Sequence, residues 1–402
     1  MDRLVKNEKP IRIAIVVSHP IQYFVPFYRK LSEHPELHLK VFYGARVGLN
    51  KYEDKDFGVE FAWSMDLLEG YDSEFLSGSE KVTDTRFFSV KHGDIDVHLE
   101  NFNPHVVVIY GYSQLLSIKT LYWCYRKSIP VLMSSDSELL QHRAWYKKAV
   151  KRLLLPLLFS KVRGFLTVGD NNESYYRYYG VNSAKLFRCP FTIDEDSFQR
   201  ARCNRVQIRK RWRAENRISE DVFVVLFAGK FTQKKRPNDL LEAIDVVSNN
   251  RPVCAVFAGD GPLMQEMKKQ ASQLKKNSCL FLGFVNIDKL PDVYVSADVL
   301  AVPSEKEPYG LVTCEAVAVG LPLIVSDKVG SVGPTDTVRA EENAIVYPCG
   351  DVRALADAIV RLAENPPLRQ GMGRKSLQIA DELGMSASVR GFMKAVKSAC
   401  VK

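Results

Sequence analysis

Two glutamates, Glu307 and Glu315, combine residue type and position in a way that suits the binding of hydroxyl groups. Glu307 follows a predicted buried strand at 299–303, in a loop that Pro308 and Gly310 keep irregular. An apolar helix is predicted directly after this loop, and Glu315 lies about one turn inside it. A carboxylate in an apolar segment needs hydrogen-bond donors, such as ribose or sugar hydroxyls. Either glutamate alone reads as an ordinary helix or loop residue, but together with the loop they favour a binding site.

The start of that helix offers a second kind of binding group, the backbone amides of Gly310, Leu311 and Val312. The first amides of a helix have no acceptor within it, and the helix dipole places partial positive charge there. A phosphate or a sugar hydroxyl can accept these bonds. With Tyr309, which completes the Pro-aromatic-Gly loop, these residues are predicted to line a ligand site.

A basic segment follows the first predicted strand of the second half of the chain. Four of the seven residues 230–236 are Lys or Arg, including Lys230 and Lys235, and Pro237 suits the first position of the next helix. Cations beside a helix N-terminus can hold a diphosphate and stabilise it as it leaves. The alternative is a solvated basic turn, which is the usual outcome for such a run.

Two weaker motifs follow the next strands. Residues 259–262 form a strand-to-helix turn with two glycines, of which Gly261 is predicted to approach the ligand, although Met264 interrupts a full G-x-G-x-x-G pattern. Residues 281–285 end the following strand, where Phe284 and Val285 could hold a nucleobase. Neither motif would carry a prediction by itself.

The elements that position these residues alternate between short β-rich runs and amphipathic stretches, which indicates an α/β fold with parallel sheets. The 402 residues, 46% hydrophobic and 26% charged, suit two domains with a core each. Strands are predicted at 11–18, 37–43, 105–112, 130–135 and 164–169, and again at 222–229, 253–259, 280–285, 299–303 and 323–326.

The predicted domains are 1–198 and 199–381, with a C-terminal helix at about 382–402 that packs back on the first domain. A polar and aromatic insertion at 48–96 interrupts the first domain, and the arginine-rich segment 192–216 is predicted to be a hinge followed by a polar helix. Ligands in such folds lie beyond the carboxyl ends of the strands, so the site is predicted in the cleft between the domains.

The order of these motifs resembles the retaining glycosyltransferases of family four, and the likeness covers nearly all of the second half. The motifs that carry it are Gly229-Lys230 with Lys235, Gly259-Asp260-Gly261-Pro262, Phe281-Leu282-Gly283, and Glu307-Pro308-Tyr309-Gly310-Leu311-Val312 with Glu315. The resemblance implies the GT-B fold, in which two Rossmann-like domains face each other across a cleft. It also implies a nucleotide diphosphate sugar as donor and a hydroxyl group as acceptor.

By that similarity, Lys230 and Lys235 bind the phosphates, Glu307 the donor sugar and Glu315 the ribose. The first half is similar only in strand order. After its first strand it has His19-Pro20-Ile21-Gln22-Tyr23, which resembles a bacterial subgroup of the family. His19 is a candidate there because it follows a strand into the cleft. Asp136 is the other candidate, in a segment where the family often has a histidine.

No cofactor or metal is expected. Two D-x-D triplets, 94–96 and 194–196, do not follow a strand of a nucleotide-binding half, and the basic loop would supply the charge that a metal provides elsewhere. The eight cysteines show no metal-ligand spacing and suggest free thiols in a reducing compartment.

The net charge of +9 invites a polyanionic partner, but no nucleic-acid-binding motif accompanies it, so nucleic acid is not expected. The N-terminus does not resemble a secretory signal, and the chain is expected to be cytoplasmic. Residues 141–155 combine basic residues, Trp145, Tyr146 and an apolar run. They are predicted either to lie on an anionic membrane surface or to form a domain helix with one solvated basic face.

Three functions remain open from the sequence. The first is transfer of a sugar to a glycan or lipid-linked acceptor. The others are a sugar-nucleotide epimerase on the same two-domain scaffold and a non-catalytic partner subunit that keeps the cleft. The donor sugar, the base, the acceptor and the oligomeric state are not determined by these residues.

Overall fold

A computed structural model describes residues 9–49, 52–54, 59–61, 63–141, 144–248, 251–274 and 278–401, with the backbone alone for 52–54 and 59–61. These residues form two α/β domains. Each is built on a parallel sheet that buries a hydrophobic cluster on both of its faces.

The first domain contains a seven-stranded parallel sheet. The strands described in this domain are β1 (Ile11–Val17), β2 (Leu37–Tyr43), β3 (Tyr52–Asp54), β4 (Val59–Phe61), β5 (Ser73–Phe75), β6 (Val106–Tyr110), β7 (Val131–Ser135), β8 (Gly164–Thr167) and β9 (Leu186–Arg188). The sheet order is β5-β2-β1-β6-β7-β8-β9, and β3 and β4 form a separate antiparallel hairpin. The helices are α1 (Val25–Ser32), α2 (Ile95–Phe102), α3 (Leu115–Lys127), α4 (Trp145–Ser160) and α5 (Asp170–Tyr178).

The second domain has a six-stranded parallel sheet in the order β12-β11-β10-β13-β14-β15. Its strands are β10 (Phe223–Ala228), β11 (Val253–Ala258), β12 (Cys279–Gly283), β13 (Val299–Val302), β14 (Leu323–Ser326) and β15 (Ala344–Tyr347). The helices that follow in chain order are α6 (Glu195–Cys203), α7 (Arg205–Glu215), α8 (Pro237–Ser248), α9 (Met264–Ala271), α10 (Leu290–Ser296), α11 (Leu311–Ala318), α12 (Val352–Glu364), α13 (Pro366–Leu383) and α14 (Met385–Cys400).

The sequence predicted ten of these strands to within a few residues and missed β5, β9 and β15 in the two sheets. All three lie at a sheet edge and have only three or four residues. The three-residue strands β5 and β9 are too short to show a hydrophobic period, which is why the pattern did not reveal them.

The segment 192–216 forms two helices, α6 and α7, rather than a hinge with one polar helix. Ile193 and Phe198 belong to the core of the second domain, so this domain begins a few residues before position 199. Arg213 of α7 has no exposed surface, and its guanidinium donates to Asp298 Oδ2 at 2.8 Å. The arginines looked solvated in the sequence because their buried partner lies more than eighty residues away.

The chain crosses between the domains twice, and the two crossings lie side by side. The last helix, α14, packs against β8 and β9 of the first sheet. At its start the Ser388 hydroxyl donates to the Pro190 carbonyl at 2.7 Å, and the Met385 amide donates to Glu195 Oε1 at 2.5 Å. The hinge is therefore made of two chain segments that are hydrogen-bonded to each other.

Candidate active site

Glu307 lies between β13 and α11, at the carboxyl edge of the second sheet. It is 8% exposed, and its carboxylate forms an ion pair with the Lys235 ammonium group. Its carbonyl accepts from the Gly330 amide at 2.9 Å, which ties the loop to the segment after β14. The glutamate and the lysine that the sequence assigned to the donor are thus in direct contact.

Gly310 sets the direction of the chain into α11. Its φ of 100° is a left-handed conformation that favours glycine, and a Cβ there would lie 3.0 Å from Glu307 Cγ. The Thr313 hydroxyl donates to the Gly310 carbonyl at 2.7 Å, which fixes the first turn. Leu311 and Val312 form that turn, so the helix amides begin beside the Glu307 loop.

Glu315 is buried on α11, with 2% of its surface exposed. The Tyr294 hydroxyl of α10 donates to Glu315 Oε2 at 2.5 Å, and Tyr23 of the first domain lies near enough to interact electrostatically with the same side chain. Burial raises the pKa of Glu315 to about 7, while the hydrogen bond from Tyr294 and the interaction with Tyr23 act in the opposite direction. The sequence argument that this carboxylate needs hydroxyl donors agrees with its surroundings, although the donor here comes from the protein.

The Tyr309 side chain points toward the domain junction, and the ligand contact that the sequence assigned to this residue stays a prediction. Its hydroxyl donates to Asp336 Oδ1 at 3.0 Å and lies 3.0 Å from the Thr337 hydroxyl, and its ring packs edge-on against Phe191 at 5.2 Å. The side chain is 3% exposed. Tyr309 therefore anchors the loop at the domain junction, and spacing alone could not show which way its ring points.

The basic loop after β10 lies against the Glu307 loop. Lys235 reaches Glu307, whereas the Arg236 guanidinium donates to Asp239 Oδ2 at 2.8 Å within its own helix start. Lys230 lies partly buried directly after β10, at the carboxyl end of the sheet. The loop thus supplies cations at the edge where Glu307 lies.

Gly261 packs closely against the backbone of the basic loop after β10. Its φ is 154°, and a Cβ there would lie 2.7–3.0 Å from backbone atoms of Phe231. The Phe231 amide donates to the Asp260 carbonyl at 2.8 Å. Glycine at this position lets the turn after β11 support the basic loop after β10, and the ligand contact that the sequence assigned to Gly261 stays a prediction.

Phe284 and Val285 follow β12 at the far side of the cleft. The Phe284 ring lies 6.2 Å from the ring of Trp63, which belongs to the insertion of the first domain. Beside it, the Ser64 hydroxyl donates to Asn286 Oδ1 at 3.2 Å. The predicted base-binding segment is therefore faced by the insertion, a contact that the sequence did not suggest.

The first domain brings two titratable candidates to the cleft. His19 follows β1, its Nδ1 is hydrogen-bonded to the Ser18 hydroxyl at 2.9 Å, and burial lowers its pKa to about 4, so the ring is neutral near pH 7. Asp136 follows β7 and is open to the cleft. Desolvation by the cleft walls raises its pKa, and the charges of Glu307 and Glu138 raise it further. Asp136 and Glu307 thus interact across the cleft.

Tyr23 and Tyr294 are the site residues that the sequence argument missed. Tyr23 lies in the segment already singled out for His19, so a signal was present, but a tyrosine carries no charge that marks it as a partner. Charge on Glu315 and Glu307, together with burial, raises the pKa of Tyr23. Tyr294 lies on an apolar helix that offers no comparable signal.

A second contact between the domains lies behind the cleft. Asp336 Oδ2 accepts from the Asp170 amide at 2.7 Å, at the N-terminus of α5, and the Asn171 side-chain amide donates to the Gly330 carbonyl at 3.0 Å. Desolvation raises the pKa of Asp336 to about 7. A Cβ on Gly169 would lie 2.0 Å from Asp336 Oδ2, so this contact requires glycine.

The two D-x-D triplets lie at helix starts. The Asp94 carboxylate accepts from the Ser77 amide at 3.1 Å, and the Asp194 carboxylate accepts from the Ser197 amide at 3.4 Å as the cap of α6. Among the residues that the structure describes, no group of three His, Cys, Asp or Glu side chains is placed to hold a metal ion.

The second half of the chain matches a known protein family. Residues 208–378 match the family model described as glycosyl transferases group 1. An uncharacterised glycosyltransferase of Methanocaldococcus jannaschii is 37% identical over 133 residues, which is 33% of each chain. A lipopolysaccharide core biosynthesis glycosyltransferase of Rhizobium meliloti is 30% identical over 159 residues, 39% of this chain and 44% of that protein. The chain thus matches less than half the length of these relatives.

Solved structures extend the likeness to the whole fold. Anabaena HepE, in a complex with UDP and glucose, aligns over 96% of this chain and 100% of its own, with a TM-score of 0.70 and 14% identity. At that identity the likeness concerns the fold alone. It confirms the predicted GT-B architecture, in which two Rossmann-like domains face each other across a cleft.

Proposed function

We propose that this chain is a retaining glycosyltransferase that moves a sugar from a nucleotide diphosphate sugar to a hydroxyl acceptor. The observation that carries the proposal is the grouping of Glu307, Lys235 and Glu315 at the carboxyl edge of the second sheet. The match of residues 208–378 to the group 1 family supports the same function.

In this proposal the second domain holds the donor. Glu315 accepts from the ribose hydroxyls and Glu307 from the sugar hydroxyls. Lys230, Lys235 and the amides at the start of α11 bind the diphosphate. Charge builds up on the diphosphate as the bond from the sugar C1 to its oxygen breaks. Fixed cations there lower the barrier because they need no rearrangement when the charge appears.

The proposed transfer retains the configuration at C1 because the acceptor oxygen enters on the face from which the diphosphate leaves. One C1–O bond breaks and another forms, and the leaving phosphate oxygen takes the proton of the acceptor hydroxyl. A protein base is then not required. Asp136, which lies across the cleft from Glu307, and neutral His19 would orient the acceptor.

We further propose that the lysines provide the positive charge without a metal ion. The ion pair between Lys235 and Glu307 supports this, because it places one of these cations at the proposed donor site. A rate of sugar transfer that is unchanged by a chelator would agree with this, and a rate restored only by added Mg²⁺ or Mn²⁺ would contradict it.

The function is tested with a thermal-shift and turnover screen of UDP-, GDP- and ADP-sugars on the wild-type chain and on Glu307→Gln and Lys235→Ala. We expect one donor class to stabilise the wild type and to be consumed more slowly by both variants. Wild-type turnover in both variants would contradict the proposal. Conversion of the donor without an acceptor, to an isomeric sugar nucleotide, would instead favour an epimerase. Absence of any binding would favour a non-catalytic subunit.

We propose that the acceptor is a glycan or a lipid-linked glycan of polysaccharide or lipopolysaccharide assembly, reached at an anionic membrane surface. In α4, the side chains of Tyr146, Val150, Leu153 and Leu157 follow the i, i+4, i+7, i+11 spacing of one helix face, and all are exposed. The predicted segment 141–155 includes His142 and Arg143, which lie outside the described residues.

The exposure of this face favours the membrane alternative over a solvated basic face. Trp145 is 81% exposed, Leu153 71% and Leu157 65%, with exposed Lys147 and Lys148 beside them. Apolar side chains flanked by cations suit the interface of an anionic bilayer. No helix in the described part of the chain is long and apolar enough to cross a membrane.

Co-sedimentation with vesicles tests this surface. We expect binding to phosphatidylglycerol-containing vesicles and little to phosphatidylcholine alone, with a loss in the double variant Leu153→Ser, Leu157→Ser. Val206→Ser on α7 is the matched control, because Val206 is 81% exposed in the other domain. Equal binding of the double variant and the control would exclude α4 as the contact.

A further inference from the structure

Five arginines line a pocket at the amino-terminal edge of the second sheet. The pocket has a volume of about 460 Å³, and among the described residues Asp298 is the one acidic side chain in its lining. The arginines come from three helices and are Arg202 of α6, Arg205 and Arg209 of α7, and Arg369 and Arg374 of α13. Five cations around one pocket repel each other unless an anion lies between them.

Asp298 does not balance these charges. Its Oδ1 accepts from the Arg209 guanidinium at 2.9 Å, and its Oδ2 accepts from the Arg213 guanidinium and the Val224 amide, both at 2.8 Å. Arg213 is thus a sixth, buried cation on the same carboxylate. In the described part of the chain, four of the lining arginines form no ion pair with an acidic side chain: Arg202, Arg205, Arg369 and Arg374.

Part of the hydrogen-bonding capacity of these arginines goes to carbonyls at helix ends. Arg202 and Arg205 each donate to one carbonyl at the end of α11, at 3.4 and 3.0 Å, and Arg209 donates to two carbonyls at the end of α10. A guanidinium has five N–H donors, so these bonds leave most of them unused. Burial lowers the pKa of Arg205 and the charge of Arg209 lowers it further, whereas Asp298 raises it. The helix ends therefore explain where the side chains lie, but they do not balance the charge.

We propose that this pocket binds a ligand that presents at least two phosphate groups. The lining arginines exceed the acidic lining by four positive charges, five against one, and a phosphate group carries about 1.5 to 2 negative charges near pH 7. Guanidinium groups bind phosphate oxygens through paired parallel hydrogen bonds, so several of them around one pocket suit more than one phosphate. The phosphates belong either to a soluble compound or to lipid head groups at a membrane surface.

The pocket is separate from the proposed donor site. Asp298 and Pro322 line the pocket and directly precede β13 and β14, whereas Glu307 and Lys235 lie beyond the carboxyl ends of β13 and β10. The four residues of β13 alone span about 13 Å. The sheet lies between the two sites, so a donor bound in the cleft would leave the arginine pocket free. The inference therefore goes beyond the proposed function and does not depend on it.

Titration calorimetry with sodium tripolyphosphate tests the pocket on the wild type and on two double variants that lose the same charge. Arg202→Gln, Arg374→Gln is the pocket variant. Arg353→Gln, Arg390→Gln is the matched control, because both are exposed arginines, of α12 and α14, outside the pocket lining. We expect the pocket variant to bind tripolyphosphate about tenfold or more weakly than the control, since it loses charge-assisted hydrogen bonds. Arg374→Gln alone, at an exposed side chain, should show the same direction even if the double variant is unstable.

Co-sedimentation of the same variants with phosphatidylglycerol vesicles distinguishes the two sources of phosphate. A loss of vesicle binding in the pocket variant but not in the control would assign the site to lipid head groups. Unchanged vesicle binding together with weakened tripolyphosphate binding would assign it to a soluble compound.

Two results would overturn the proposal. One is equal tripolyphosphate binding by the pocket variant and the control, and a loss in Lys235→Ala alone would then place the ligand in the cleft. The other is a wild type that does not bind tripolyphosphate. Neither result involves sugar transfer, so both would leave the proposed function standing.

Discussion

The two domains share one architecture but present their polar residues differently. In the second domain Glu307 and the lysines lie in loops, and the path of the Glu307 loop is fixed at Gly310. Glu315 lies on α11, and both glutamates are nearly buried. In the first domain Asp136 is open to the cleft, and His19 lies in the loop that also carries Tyr23. A chemical group that many donors share can be bound by rigidly held side chains. Acceptors that vary can be bound by an adaptable surface.

This difference between the domains predicts which substitutions should have the larger effects on activity or stability. Substitutions in the second domain should remove interactions of charged side chains that are buried or held in place, and such interactions are strong. Changes in the first domain should remove contacts of the exposed Asp136 and of the partly buried, neutral His19, and these contribute less. Variants of matched chemistry in the two domains can therefore test the contrast.

The largest effect is expected for Lys235→Ala. Loss of a fixed cation at the leaving diphosphate should lower kcat for sugar transfer by about 100- to 1,000-fold. Lys234→Ala is the control, because Lys234 is its exposed neighbour in the same loop. The measurement is steady-state transfer with the preferred donor. Equal kcat in the two variants would mean that the basic loop acts only through its overall charge.

The next effect concerns stability and pH. The pKa of Glu315 is raised to about 7 in the folded chain, so the folded state holds this proton more tightly than the unfolded state. Its contribution to stability is therefore present at low pH and is lost as the pH rises toward 7. From pH 5 to 8 the loss should be about 2.5 kcal/mol in the free energy of unfolding.

Urea unfolding at pH 5 and pH 8 measures this dependence. In Glu315→Gln the decrease between the two pH values should be smaller by that amount, whereas Glu69→Gln, at an exposed position of the first domain, should behave as the wild type. An unchanged pH dependence in Glu315→Gln would show that Glu315 is already ionised well below pH 7.

The smallest effects are expected in the first domain. Asp136→Asn and His19→Ala should each lower kcat by about tenfold or less, since general-base catalysis by a side chain would contribute 100-fold or more. The pH–rate profile of both variants should keep its shape. A fall of more than 100-fold for Asp136→Asn at unchanged KM would identify Asp136 as a base and replace the proton transfer proposed for the phosphate oxygen.

The features that the sequence could predict are those that depend on residues close together in the chain. Core strands were visible because their apolar runs are local, and the Glu307 loop was visible because Pro308 and Gly310 constrain it within a few residues. The direction of the Tyr309 ring and the packing of Gly261 against Phe231 could not be predicted, since both depend on neighbours from other segments. The electrostatic interaction of Tyr23 with Glu315 joins residues almost three hundred positions apart, and no spacing rule reaches that far.

The paired crossings at the hinge limit how the domains can move. Two hydrogen-bonded tethers, joined through Ser388 and Pro190, leave one easy rotation about the line that connects them and resist twisting of one domain over the other. The two domains would therefore open along a single path. Each time they close, the same two surfaces would face each other again. A proteolytic cut in one tether would also leave the halves joined by the other, so the nicked protein should elute as one particle in size-exclusion chromatography.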